Sequence, residues 1–243
     1  MFIEIYETPE ELGKAEAARI ARIIKEKESP LLCLPAGQSC ICVYKELIEM
    51  NRRGEVDFSR VKIVGLDEWC DYPAYESSAG WILDTTFFNF INIDRKNMRM
   101  FQPNPADAEQ ECREIEQYIE DNGGIDYIAL GVGMNGHVAL NEPGADFSLG
   151  AHVNVLAEKT REVSDKYFKD GIPPLTRGLT LGFKNIFEAR EIAVCLNGAH
   201  KAPIVEKFMN TPVTKEFPVT NMKTCDRTRL VMDRAAASLI YKL

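Results

Sequence analysis

Apolar and polar positions come in blocks along this chain, short wholly apolar runs taking turns with longer segments of helical spacing. Phe2 to Ile5 is a first apolar strand, and from Thr8 the segment PEELGKAEAARIARIIKEK repeats its apolar residues at helical intervals. The run LLCLP, Leu31 to Pro35, fits a strand buried on both faces, and past the loop AGQS the segment CICVYKELIEMNRRG predicts a helix ending at Gly54. VKIVGL, Val61 to Leu66, predicts a second buried strand that ends on Asp67-Glu68-Trp69. SAGWILDTTFFNFI reads as a helix, and ADAEQECREIEQYIEDNGG as another with a glycine C-cap. IDYIALGVG, Ile125 to Gly133, is the next buried strand. TRGLTLGF and EIAVCLNG are later strand candidates, AHKAPIVEKFM is the helix after the second, and TRLVMD and RAAASLI close the chain.

Buried strands alternating with helices predict an α/β fold, a mostly parallel, Rossmann-like sheet with helices on both faces. No internal repeat and no linker-like run divides residues 1–243, which read as a single domain. In such sheets a ligand lies beyond the carboxyl ends of the strands, so AGQS, DEW, MNGH and NGAHK become the segments of interest.

Composition narrows the picture. Apolar residues make up 45% and are spread throughout, which argues against disorder. A net charge of −8 argues against a nucleic-acid partner, which would call for a basic face, but one local cationic pocket could still hold an anionic metabolite. The seven cysteines are odd in number and contain no C-x-x-C pair, so a disulfide framework and a zinc ribbon are disfavoured. Reduced thiols, no signal-peptide pattern at MFIEIYETPEELGK and no long apolar run predict a cytoplasmic protein with no membrane partner. Neither a monomer nor a small homo-oligomer is excluded.

Ala36, Gly37, Gln38 and Ser39 link a strand to a helix; free amides, a helix N-terminus and a hydroxyl make a phosphate cradle, and an ordinary turn with an N-capping serine is the alternative. Asp67, at a strand end among apolar residues, can have a raised pKa and act as a base; a solvated acidic turn is the alternative. Residues 131–136 match G-x-G-x-x-G, but lie deep in the chain and precede a Pro-Gly pair, so a dinucleotide site is rejected. His137 suits proton transfer near neutral pH, and Glu142 nearby can fix its tautomer; a structural histidine is the alternative. No metal is expected, because no cysteine stands at ligand spacing around them. Lys201 opens a helix, where a cation opposes the helix dipole unless an anion sits there, although a solvated lysine also fits. Lys166 and Arg177 are further cations without local warrant.

Together the segments LPAGQS, VGLDEW, GVGMNGHVALNEPG, TRGLTLGFKNIFEARE and NGAHKA carry a resemblance. Over nearly its whole length the chain resembles the glucosamine-6-phosphate deaminase/isomerase family, most closely its galactosamine-6-phosphate branch. The resemblance implies a cofactor-free reaction in which a 2-amino-2-deoxyhexose 6-phosphate is opened, isomerised to a ketose and freed of ammonia. It assigns ring opening to His137, enolisation to Asp67, support of His137 to Glu142, and phosphate binding to residues 36–39, Lys166 and Lys201. Asn135 stands where the glucosamine enzymes usually carry aspartate, which reads as a marker of the galactosamine branch, and Lys166 stands where arginine is frequent. Residues after NEP lack the basic pair that binds an allosteric effector in related enzymes, so activation by N-acetylglucosamine 6-phosphate is not expected. A sugar-phosphate lactonase of the same superfamily and a non-catalytic sugar-phosphate sensor are the rival readings.

Overall fold

The computed structural model describes residues 1–72, 74–168 and 175–240, residues 165 and 166 by backbone alone. Its strands in chain order are β1 (Phe2–Tyr6), β2 (Leu31–Cys33), β3 (Lys62–Val64), β4 (Asp67–Trp69), β5 (Met98–Arg99), β6 (Tyr127–Leu130), β7 (His152–Val155), β8 (Arg177–Thr180), β9 (Glu191–Leu196) and β10 (Thr228–Asp233). The helices are α1 (Pro9–Glu26), α2 (Ile41–Arg52), α3 (Ala79–Thr86), α4 (Ala108–Asp121), α5 (Glu158–Val163), α6 (Phe183–Glu188) and α7 (Ala202–Asn210).

The expected parallel sheet is present, with seven strands in the order β1-β10-β9-β6-β2-β3-β5. Side chains alternate across a strand, so each strand feeds two cores. Leu31 and Cys33 join one face with Ile115 of α4, Ile186 of α6 and Val205 of α7. Leu32 and Leu34 join the other with Leu12 and Ile20 of α1 and Leu47 of α2. Burial on both faces is why these runs carry no polar alternation. Helix starts follow their local chemistry: the Thr8 hydroxyl accepts the Glu11 N–H at 3.2 Å, with a proline in the first turn of α1. At the sheet edge Arg229 of β10 reaches Glu4 of β1 at 2.8 Å and Glu16 of α1, a buried carboxylate satisfied by that guanidinium and by the Tyr127 hydroxyl at 2.7 Å.

Three expectations need correction. TRGLTLGF does form a strand, β8, but not in the parallel sheet: it is the centre of a separate antiparallel sheet, β4-β8-β7. Asp67-Glu68-Trp69, expected as the end of the VKIVGL strand, is an edge strand of that sheet, in antiparallel register with Gly178–Thr180 of β8. The helix expected over residues 78–91 ends at Thr86, and a 3-10 turn follows over Phe88–Phe90. Among the described residues no helix is long and apolar enough to cross a membrane.

Candidate active site

A cavity of about 430 Å³ opens at the carboxyl ends of the parallel strands, and the small antiparallel sheet and α5 wall its far side. Its lining brings together residues 36–39 after β2, Asp67 on β4, His137 after β6, and Lys201 after β9, four segments far apart in sequence.

The turn after β2 is held from two sides. The Tyr44 hydroxyl donates to the Pro35 carbonyl at 2.6 Å, and the Asn197 amide donates to the Ser39 carbonyl at 2.8 Å. A 3-10 turn, Gln38–Cys40, leads into α2, so the positive end of that helix follows directly on the cavity-lining residues 36–39. Lys201 precedes α7, and its ammonium donates to the Val132 carbonyl at 2.6 Å, which carries it across to the β6 side of the cavity.

Burial raises the Asp67 carboxyl to about 6, and the nearby His137 pulls it partway back. Burial also pushes its neighbour Glu68 up, to about 7, against the pull of three N–H donors: Trp69 at 2.8 Å, Ala79 at 3.0 Å and Gly80 at 3.4 Å. Those donors give Glu68 a structural task, tying β4 to the start of α3.

His137 is oriented from behind. Its Nδ1 lies 3.3 Å from Glu142 Oε2 and 3.1 Å from Thr160 Oγ1. Asn135 accepts the His137 backbone N–H at 3.2 Å and donates its amide to Glu142 Oε2 at 2.7 Å. Burial works to raise the Glu142 carboxyl, but bonds from His137, Thr160 and Asn135 together outweigh it and hold the group below its ordinary value. An ionised carboxylate at Nδ1 favours the proton on that nitrogen and leaves Nε2 as the base. Nε2 packs against Gly133, where a Cβ would lie 2.3 Å away, so only glycine leaves room for the ring. Gly133 is therefore a floor for the imidazole, and turns and isolated bridges follow it in place of a nucleotide-binding helix.

Asn135 and Glu142 do not line the cavity themselves but act on it through His137. Lys166 lies in the 3-10 turn Ser164–Tyr167, whose Ser164 and Tyr167 do line it, but the Lys166 side chain lies outside the described residues. Arg177 is engaged elsewhere, with Asp71 at 2.7 Å. Sequence reasoning missed Thr160 and Asn197; Asn197 sits in the flagged NGAHK segment, whereas nothing in EKTREV marks Thr160. Among the described residues no group of three or more His, Cys, Asp or Glu could hold a metal ion.

The family model of glucosamine-6-phosphate isomerases/6-phosphogluconolactonase matches residues 7–232. The chain belongs to this family. It is 35% identical over 232 residues to a glucosamine-6-phosphate deaminase of Thermoanaerobacter sp. (strain X514), covering 95% of this chain and 92% of that protein. It is 37% identical over 235 residues to the corresponding deaminase of Clostridium perfringens (strain 13 / Type A), covering 95% and 96%. The structure of a monomeric glucosamine-6-phosphate deaminase superposes with a TM-score of 0.92 at 31% identity, over 98% of this chain and 100% of that one. A 6-phosphogluconolactonase from Leishmania guyanensis shares the fold, with a TM-score of 0.75 at 17% identity over 99% of each chain. The expectation of an enzyme in the amino-sugar-phosphate isomerase family is met.

Proposed function

We propose that this enzyme converts a 2-amino-2-deoxyhexose 6-phosphate to a ketohexose 6-phosphate and ammonia. The observation that carries the reading is the convergence of Asp67, His137, Lys201 and residues 36–39 on one cavity. Lys201, the amides of residues 36–39 and the Ser39 hydroxyl hold the phosphate, with Lys166 as a further cation on the turn after α5. Nε2 of His137 takes the proton of the C1 hydroxyl and returns one to the ring oxygen, which opens the sugar. Asp67 removes the C2 proton and delivers it to C1 while O1 gains a proton and the amine nitrogen gives one up, so the C1–O double bond is lost and a C2–N imine is left. Water adds to that carbon and ammonia leaves. A base with a pKa of about 6 is ionised at neutral pH yet still returns its proton readily.

The finer reading is the galacto epimer, supported by Asn135 together with LDEW and TRGLTLG. The relatives named above are glucosamine enzymes, which supports the gluco epimer. The test is ammonia release from each amino-sugar phosphate by wild type and by Asp67→Asn. Release by wild type alone supports the reading, and the faster sugar decides the epimer. A folded protein that leaves both sugars untouched and opens 6-phosphogluconolactone would move it to the lactonases.

A further inference from the structure

Thr160 contacts each member of the group behind the His137 ring. Its Oγ1 lies 3.1 Å from His137 Nδ1 and 3.4 Å from Asn135 Nδ2, and it bonds the Glu142 carboxylate. It is buried and comes from α5, whereas the other three belong to the loop after β6. The distances rank the contacts. A charge-assisted N–H to carboxylate bond is ordinarily about 2.7–2.9 Å, yet Glu142 Oε2 stands 3.3 Å from Nδ1 and makes its shorter bond, 2.7 Å, with Asn135. The threonine oxygen is the nearer partner. A hydroxyl has one proton and two lone pairs, so it can give its proton to Glu142 while accepting Nδ1–H. That arrangement gives Nδ1–H and the hydroxyl proton an acceptor each, although Glu142 Oε1 is buried with no hydrogen-bond partner.

We propose that Thr160 is a positioning residue whose hydroxyl relays His137 Nδ1–H to Glu142 and so holds the ring in the tautomer with a bare Nε2. The inference rests on the deaminase reading for what that nitrogen does. It also ties the base to the cavity wall: Val163 on the same helix and Ser164 and Tyr167 just beyond it line the cavity, so a displacement of α5 withdraws the relay. Asp67 from β4 and Glu142 from its own loop are the titratable groups acting on the ring, and Glu68, Tyr167, His200 and Lys201 line the same cavity.

The experiment compares wild type, Thr160→Val and Thr160→Ser by steady-state kinetics on the preferred amino-sugar phosphate and by nitrogen NMR of the imidazoles without substrate, with His137→Gln to assign the signal. Thr160→Val should lose about tenfold to a hundredfold in kcat, as expected for one oriented hydrogen bond, with KM little changed. Its His137 signal should report mixed tautomers where wild type shows the Nδ1–H form, and Thr160→Ser should restore both readouts. Wild-type kcat and an unchanged tautomer in Thr160→Val would overturn the proposal, as would a wild-type ring protonated on Nε2 at neutral pH, a measurement that needs no variant to fold. Wild type that releases no ammonia would overturn the deaminase reading alone, because the tautomer comparison still judges Thr160.

Discussion

Asp67 has to be ionised to take a proton from carbon and protonated to give one back, and its surroundings place it between those states. With its carboxyl raised to about 6, kcat/KM should fall as pH drops through that value, and carbon NMR of the free enzyme should show the same titration. Substrate phosphate also titrates near 6, which is why the free-enzyme measurement decides. The same shift has a stability consequence. The folded pKa lies above the unfolded one of 3.8, so the folded state holds this proton more tightly. The associated stabilisation is complete below about pH 4 and is lost as pH rises through about 6. Asp67→Asn should therefore lose about 10²–10⁴-fold in activity and melt at a higher temperature than wild type at pH 8, with the advantage vanishing near pH 3. A variant that melts lower at pH 8 would contradict this account. Gly133 offers a second residue-scale test: in Gly133→Ala the new methyl occupies the space of His137 Nε2, 2.3 Å away, and displaces the ring. Misplacement on that scale costs roughly 10²-fold in kcat, while circular dichroism should stay unchanged.

At the scale of elements, the Glu68 carboxylate joins β4 to α3. Glu68→Ala removes the acceptor from the Ala79 and Gly80 N–H groups, which lie too deep for water to replace it fully. The expected loss is about 1–3 kcal/mol, a fall in Tm of several degrees for a chain of this size. Glu68→Gln, which keeps an acceptor oxygen, should recover most of it in a thermal melt. This junction also shows where the sequence stops being informative. The central strands were legible because a parallel strand covered on both faces is apolar along its buried length, as LLC and YIAL are and as EIAVCL is after its half-buried Glu191. The antiparallel sheet was not. DEW is three residues of mixed polarity, and HVNV, although it alternates, is only four residues long and half-exposed, too short for the alternation to stand out. What pairs them is β8, more than 100 residues after β4 and joined to β7 not by a short hairpin turn but across some twenty residues that include α5. In the site, the polar segments after strands could be read because the architecture assigns them to one edge of the sheet. Thr160 could not, because its partners come from a different stretch of chain and its own helix shows only charged neighbours.

Over the whole molecule, regulation by an anionic effector requires a second site and two states that the effector binds unequally. A second cleft does exist, and Glu142 belongs to it as well as to the support of His137, so a ligand there would touch the catalytic machinery through one carboxylate. Its electrostatics are wrong for a sugar phosphate. Glu142 is held ionised, Asp146 is kept below its ordinary value by the Ser148 backbone and hydroxyl, and no lysine or arginine lines the cleft among the described residues. The chain's net charge of −8 adds to the repulsion, and Lys215, which acts on Asp146 from beside the cleft, does not line it as Lys201 lines the main cavity. N-acetylglucosamine 6-phosphate should therefore leave the saturation curve where it is, with no leftward shift and no change in its shape, when initial rates of ammonia release are measured across substrate concentrations with and without the compound. Competition at the main cavity would move the curve rightward and would leave this conclusion intact. A leftward shift would mean that the phosphate finds cations in a conformation other than this one, and the acidic cleft beside Glu142 would be the first place to look for the rearrangement.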